Sequence, residues 1–215
     1  MAGPSLRESQ RFIEPWLAGR RRILEVGCGD GTLAAWLAGR GHEVTAIDRR
    51  PAAGIGPLVS FVEGDFMAAP FPDASFDAVV LVAVLHHLAP LDAAVLRLRG
   101  LLADGGVLVV DDFDLAAPDD ATAAFWAALQ GLDIPAGASA LERWQRHHHH
   151  DDEPPLHGAK AMQAEIVRSG LRRLMVGRGP YLFRYVDDDA ALATERRGIL
   201  DGTLRAIGFQ IVAAR

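Results

Sequence analysis

Three glycines on alternate positions, Gly27, Gly29 and Gly31, stand between an apolar run, Ile23 to Val26, and a helical pattern, Thr32 to Ala38. No other feature restricts the fold as much. Glycines at this spacing remove Cβ atoms where the chain turns tightly from strand to helix, and they let main-chain N–H groups approach a bound molecule. An ordinary glycine-rich turn is the bland alternative, and the flanking strand and helix signals oppose it.

The rest of the chain repeats the unit that this turn begins. Ser5 to Leu17 has Phe12, Ile13, Trp16 and Leu17 on one helical face, which predicts a helix before the first strand. Further strands are expected at Glu43 to Ile47, Leu58 to Val62, Phe76 to Val82 and Val107 to Val110. A helix from Pro90 to Leu102, stopped by Asp104-Gly105-Gly106, precedes the last of these. Alternating strands and helices with fully apolar strand centres imply a parallel sheet covered on both faces. From Asp114 to about Leu156 the alternation stops, and helices over Ala121 to Leu132 and Ala138 to Arg146 read as an inserted helical lid, residues 114–156. It resumes with a helix at Gly158 to Ser169, strands at Leu171 to Gly177 and Tyr181 to Val186 as an antiparallel hairpin, and a helix at Ala190 to Ala206. The tail, Phe209 to Val212, has no placement from pattern alone.

At 215 residues the chain suits one domain, 1–215, with that insertion. The longest apolar run, Ala78 to Leu85, is far below the ~20 residues of a membrane helix. Met1 to Gln10 carries no apolar signal segment, and the single cysteine, Cys28, excludes an intramolecular disulfide. The expectation is a soluble cytoplasmic protein with no membrane partner. A net charge of −6 opposes a nucleic-acid partner, whose binding rests on clustered Lys and Arg. Local basic patches remain at Arg20 to Arg22 and Arg168 to Arg173.

Open α/β sheets bind ligands beyond the carboxyl ends of their strands. The glycine turn follows strand one. Asp48 follows strand two, 21 residues beyond Gly27, near the ~20 expected of an acid that accepts hydrogen bonds from a ribose. Glu63-Gly64-Asp65-Phe66 follows strand three. There Asp65 could accept from an exocyclic amine and Phe66 cover a base, with a helix N-cap as the plainer role for Asp65.

These residues resemble the class I S-adenosylmethionine-dependent methyltransferases. Leu24-Glu25-Val26-Gly27-Cys28-Gly29-Asp30-Gly31 is similar to that family's first motif, and Asp48 stands at its ribose-binding acid. Glu63-Gly64-Asp65-Phe66 is similar to its adenine-contacting turn, and Phe76-Asp77-Ala78-Val79-Val80 to its fourth strand. Leu101-Leu102-Ala103-Asp104-Gly105-Gly106 is similar to the turn before its fifth, with Asp104 replacing the usual proline. The resemblance is strong over residues 21–112. It implies an α/β protein with a Rossmann-like, doubly wound, mostly parallel sheet of seven strands, ending in the antiparallel hairpin. It implies S-adenosylmethionine as cofactor, held by Glu25, Gly27, Cys28, Gly29, Gly31, Asp48, Arg49, Gly64, Asp65, Phe66 and Val82. Gly29, Gly31 and Ala34 also satisfy the looser dinucleotide pattern. Glu25 opposes that reading, because an acid before the glycines suits a cationic amino-acid end better than a pyrophosphate.

Methyl transfer from a sulfonium is an in-line displacement from an activated leaving group, so the protein mainly aligns a nucleophile and excludes water. His87 and His86, just after strand four, are the candidate general bases. Asp111 and Asp112 end strand five, where catechol-type methyltransferases pair acids around a metal. The acid those enzymes carry after strand four is missing here, so no metal is expected, and the pair is read as polar contacts to the acceptor, with Asp112 the candidate, or as a solvated loop. Trp126 and Trp144 in the lid could wall an acceptor pocket or fill the lid's own core. His147 to His150 with Asp151 and Asp152 could capture a divalent cation or form a plain surface loop. No Asn/Asp-Pro-Pro-Tyr/Phe motif follows strand four, where Ala83-Val84-Leu85-His86 stands. A small-molecule methyl acceptor is therefore favoured, with a protein acceptor behind it. A non-catalytic sensor of S-adenosylmethionine or its demethylated product would show the same cofactor motifs.

Overall fold

The computed structural model describes residues 2–149 and 156–215. Helix α1 (Pro4–Ile13) precedes strand β1 (Arg22–Val26). Then follow α2 (Thr32–Gly39), β2 (Glu43–Asp48), β3 (Val59–Glu63), β4 (Phe76–Val82), α3 (Leu91–Leu101) and β5 (Leu102–Phe113). The remainder is α4 (Asp120–Leu129), α5 (Ala140–His147), α6 (Ala159–Arg168), β6 (Arg172–Gly179), α7 (Asp189–Asp201) and β7 (Gly208–Ala214). The seven strands form one sheet in the order β3-β2-β1-β4-β5-β7-β6. All neighbours are parallel except β7, which is antiparallel to both β5 and β6. No described helix is long and apolar enough to cross a membrane.

Successive strand residues point to opposite faces, and both faces are covered. On β4, Val79 and Leu81 enter a core completed by Leu91, Val95 and Leu98 of α3 and Met162 and Ile166 of α6. Ala78 and Val80 enter the opposite core, closed by Ile13 of α1 and Leu33, Ala34 and Leu37 of α2. This double burial is why the strand centres are uninterrupted apolar runs.

Two sequence expectations change in detail. An antiparallel pair does close the sheet, but the partner of β6 is β7, from the tail that pattern could not place. Tyr181–Val186 is no strand: Leu182–Tyr185 is a 3-10 turn. The N–H groups of Tyr181, Leu182 and Phe183 all donate to the buried Glu195 carboxylate, at 2.7, 2.9 and 2.9 Å. Those donors are withdrawn from any ladder. Second, Asp104-Gly105-Gly106 does not separate α3 from β5, because Leu102 already pairs with Phe76. The ladder resumes at Ala78 opposite Val107, so Ala103 to Gly106 form a bulge within the strand.

Helices α4 and α5 pack on each other through Trp126 and Trp144, whose rings meet edge-on at 5.2 Å. Both side chains are fully buried, and their cluster includes Phe113, Tyr181 and Leu182. The Trp144 indole N–H donates to the carbonyl of Leu115 at 3.0 Å. His150, Asp151 and Asp152, which the sequence reading joins to His147, lie outside the described residues.

Candidate functional site

The strand order reverses between β1 and β4, and the crevice beyond their carboxyl ends is where a ligand has room. Three cavities adjoin there. One of about 440 Å³ runs from Glu25 and the glycine turn to Leu6 and Ser9 of α1, with Arg184 and Asp187 on its far wall. A second, of about 720 Å³, runs over Asp48, Arg49, Gly64, Asp65 and Phe66. The third, of about 350 Å³, is lined by His86, His87, Phe113, Tyr181 and Tyr185, with Leu156 and the imidazoles of His147 and His148. Gly27, Gly29 and Val82 line both of the first two, and Ala83 and His87 line both of the last two. Val82-Ala83, at the end of β4, is the junction. Ala83 has φ 55 and donates its N–H to the carbonyl of Asp111 at 2.8 Å. A left-handed alanine is strained, and such strain gathers at functional sites.

The glycine turn explains itself sterically. Gly27 has φ 69, and a Cβ there would stand 2.4 Å from Cγ2 of Val84. Gly31, at φ 83, precedes the first residue of α2. Glu25, on β1 just below the turn, is 3% exposed, and its Oε2 has no hydrogen-bond partner among the described residues. Burial first, then Asp30 and Asp48, push its carboxyl up to about 8. Burial likewise pushes the Cys28 thiol up to about 12, which leaves it a protonated, inert group beside the turn.

The Asp48 carboxylate takes one N–H from Gly29 at 2.9 Å and one from Arg50 at 3.0 Å, tying the ends of β1 and β2 together. Each oxygen retains a lone pair. Asp65 accepts the N–H of Met67 at 2.9 Å through Oδ1, and its Oδ2 lies 3.3 Å from Arg49. It therefore fills the turn-capping role and still presents an oxygen to the cavity. Phe66 is buried and lies on the cavity wall.

On the other side of the junction the geometry is made by side chains. His86 sits in a 3-10 turn, Leu85–His87, and its Nδ1 lies 2.7 Å from Oδ1 of Asp112. The main-chain N–H groups of His86 and Phe113 also donate to Asp112. Asp112 is fully buried, so it faces His86 and not the cavity. Its neighbour Asp111 makes a different set of bonds: Arg184 donates to its Oδ2 at 2.7 Å, Ser9 to the same oxygen at 2.8 Å, and Gln210 to its Oδ1 at 3.1 Å. Arg184 also donates to Ser9 at 2.9 Å, and it lines both the first and third cavities. Neither Trp126 nor Trp144 lines any of the three cavities.

Sequence reasoning missed Arg184, Ser9 and the paired tyrosines. Tyr181 and Tyr185 were expected on a strand, and no local motif marks Ser9, which meets Asp111 across 102 positions of sequence. The signal that could have found them is indirect: a chain with two consecutive acids ending a buried strand must supply each with a partner.

A methyltransferase-domain family profile matches residues 24–110. A methyltransferase of Mycobacterium tuberculosis of uncharacterised activity is 32% identical over 170 residues, covering 74% of this chain and 85% of that protein. The demethylmenaquinone methyltransferase of Thermus thermophilus is 38% identical over 123 residues, covering 52% of this chain and 56% of that one. Among solved structures, an S-adenosylmethionine-dependent methyltransferase from Mesorhizobium loti superposes with a TM-score of 0.66 at 18% identity, covering 99% of each chain. A Burkholderia thailandensis 1,6-didemethyltoxoflavin-N1-methyltransferase, solved with its acceptor and S-adenosylhomocysteine, does so with 0.63 at 17%, over 99% of this chain and 79% of that one. At those identities the two structures establish a shared fold.

Proposed function

Because the chain belongs to the class I S-adenosylmethionine-dependent methyltransferases, we propose that it transfers a methyl group to a small molecule held in the cavity of about 350 Å³. The single observation that carries this is the meeting of three cavities at Val82-Ala83. A donor lying through the first two would bring its methyl group to the mouth of the third.

The residues fit such a donor. Glu25 is a buried acid with an unpartnered oxygen, which suits a cationic ammonium. An added Cβ at Gly29 would meet nothing within 4 Å, so the turn leaves space there, and Gly27, Cys28, Gly29 and Gly31 would offer main chain to the methionine end. Asp48 would receive the ribose hydroxyls. Asp65 would accept from the adenine amine, with Phe66 and Val82 as apolar walls, Gly64 as close backbone and Arg49 bridging to Asp65 over the rim. The bound cofactor supplies an electrophilic methyl group on a sulfonium. The chain's own task is to align a nucleophile in line with that bond and to keep water out. His86 and His87 stand where the nucleophile would enter, His147 and His148 at the end of α5 and the 3-10 turn Leu182–Tyr185 border it, and α4 with α5 is read as the lid of a single domain.

A sensor without catalysis would need the acceptor space filled. The two buried tryptophans pack into the helical pair instead, and the space beside His86 remains. Calorimetry with S-adenosylmethionine and its demethylated product, followed by an acceptor screen with radiolabelled donor, tests the assignment. Binding without transfer to any small molecule would favour the sensor.

A further inference from the structure

The cavity beside His86 has a chemical character of its own. Phe113, Tyr181, Tyr185 and four imidazoles supply most of its wall, and Phe113 and Tyr181 stack at 4.6 Å and 23°. Such walls receive a flat ring. The only formal charge on the described lining is the Arg184 guanidinium, with no carboxylate exposed to the space. Among the described lining residues a cationic acceptor amine would find no counter-charge, and the Arg184 guanidinium is already paired with Asp111, so a neutral ring hydroxyl suits this lining better.

The orientation of His86 is fixed by a buried acid. Its Nδ1 faces Asp112 at 2.7 Å, and a carboxylate oxygen in that position accepts the Nδ1–H. The proton is therefore on Nδ1 and the Nε2 lone pair is the basic site. Nε2 makes no hydrogen bond among the described residues and is not one of the sealed, unsatisfied atoms, so it opens toward the cavity that His86 lines. A base held by an acid on its far nitrogen is the arrangement that general-base catalysis uses.

We propose, on the methyl-transfer reading of this same site, that the acceptor is a planar aromatic molecule with an ionisable ring hydroxyl and that His86, oriented by Asp112, takes the hydroxyl proton. The O–H bond breaks toward Nε2, giving a phenolate and an imidazolium; a lone pair of that oxygen then forms the new O–C bond while the methyl C–S bond breaks, its electron pair staying on sulfur and leaving a thioether. The imidazolium returns its proton to water. His86 is then the catalytic residue, and Asp112 a positioning residue that acts through it. Among the described residues the charged and titratable groups around His86 are Asp112 from β5, Arg184, Tyr181 and Tyr185 from the segment after β6, His147 and His148 from the end of α5, His157, whose main-chain N–H donates to the His86 carbonyl at 3.0 Å, and His87 from its own turn.

The test uses the full chain and a series of naphthols with increasing nitro substitution, a matched naphthylamine and a matched naphthoic acid. With S-adenosylhomocysteine bound, a naphthol in the site should show phenolate absorbance at a pH where the free compound is un-ionised, and H86Q should lose that signal. With the methyl donor, kcat/KM should fall as the pH drops. H86Q should lose that acid limb and about 10²–10⁴-fold in rate toward weakly acidic naphthols, yet recover toward the wild-type rate on nitronaphthols already ionised in solution. D112N should weaken the same limb, and H87Q should slow transfer without removing it. Preferential turnover of the naphthylamine or naphthoic acid, absence of the phenolate signal in the wild type, or an acid limb that persists in H86Q would overturn the proposal. If H86Q does not fold, the wild-type absorbance and acceptor preference decide it. Calorimetry with S-adenosylmethionine runs alongside: failure there sinks the methyl-transfer reading itself, whereas donor binding without ring-hydroxyl recognition sinks only this inference.

Discussion

Between Glu25 and Phe66 the cleft is shaped by backbone. Gly27 and Gly31 hold left-handed conformations, and Asp48 ties two strand ends together through main-chain N–H groups. Across Val82-Ala83, the proposed acceptor side is shaped by side chains that meet from far apart in the chain: His86 with Asp112, Arg184 with Asp111 and Ser9, Glu195 with the segment that carries both tyrosines. A backbone cradle tolerates a fixed ligand and little change, whereas a side-chain cavity can be remade by substitution. The first half suits an invariant donor and the second a particular acceptor.

The sharpest way to break this contrast is Gly27→Ala. The left-handed conformation costs about 1–2 kcal/mol for an alanine, and the collision with Val84 adds about 1–3 kcal/mol. Affinity for S-adenosylmethionine should fall about 100-fold, with acceptor binding to the product complex altered far less. Calorimetry reads both. Unchanged donor affinity would mean that the turn is not the cradle.

The contrast also accounts for what the sequence made legible. The cofactor side is carried by short motifs because a tight turn and a strand-end acid are local requirements, visible in consecutive residues from Leu24 to Gly31 and Glu63 to Phe66. The parallel strands were legible because burial on both faces leaves continuous apolar runs. Tyr181 to Val186 misled for the same reason: its alternating aromatic residues satisfy a strand's period, while the competing force, Glu195 capturing three N–H groups, lies 12 to 14 positions away. His86 and Asp112 were both visible as candidates, but their pairing is tertiary. Sequence order alone ranked His87 above His86 and gave Asp112 to the acceptor.

A second measurement sharpens the donor side. Burial holds Glu25 protonated below about 8, and a cationic ammonium prefers the carboxylate, so donor binding at the proposed position should release a proton. Affinity should rise about 50-fold between pH 6 and pH 8, with about another twofold above pH 8 before it levels off, and E25Q should be flat. Calorimetry in buffers of different ionisation enthalpy detects the released proton directly. In the ligand-free protein the sign reverses. Because the folded value is raised, the stabilisation from protonated Glu25 is full below the ordinary carboxylate range and is lost as the pH rises through about 8. E25Q should therefore gain in melting temperature relative to the wild type at alkaline pH.

On the acceptor side a smaller change is expected from Glu195→Gln. One oxygen still accepts, but the amide turns an N–H toward main-chain donors. The cost is about 1–2 kcal/mol, which lowers the melting temperature by roughly 3–6 °C for a chain of this size. Acceptor kcat/KM should drop several-fold as the turn bearing Tyr181, Arg184 and Tyr185 loosens, with donor affinity unchanged. Loss of donor affinity in step with turnover would show that the two halves are not separately built.

The smallest effect is the one expected from a chelator, and it bears on the acceptor side alone. Two consecutive acids at the end of β5 invite a metal-assisted reading, in which a divalent cation would hold the acceptor's hydroxyl. The geometry divides those acids between other tasks. Asp112 is fully buried against His86, and Asp111 accepts from Arg184, Ser9 and Gln210. Among the described residues no three His, Cys, Asp or Glu side chains are placed to hold an ion together. Recruiting either aspartate would break a buried charged contact, at a cost of about 3–5 kcal/mol. Turnover should therefore stay within about twofold of the untreated rate after dialysis against EDTA, since even a tenfold fall would need only about 1.4 kcal/mol. A larger loss, restored by added magnesium or zinc, would transfer the proton-withdrawing role from His86 to a cation and make the acceptor side a metal site.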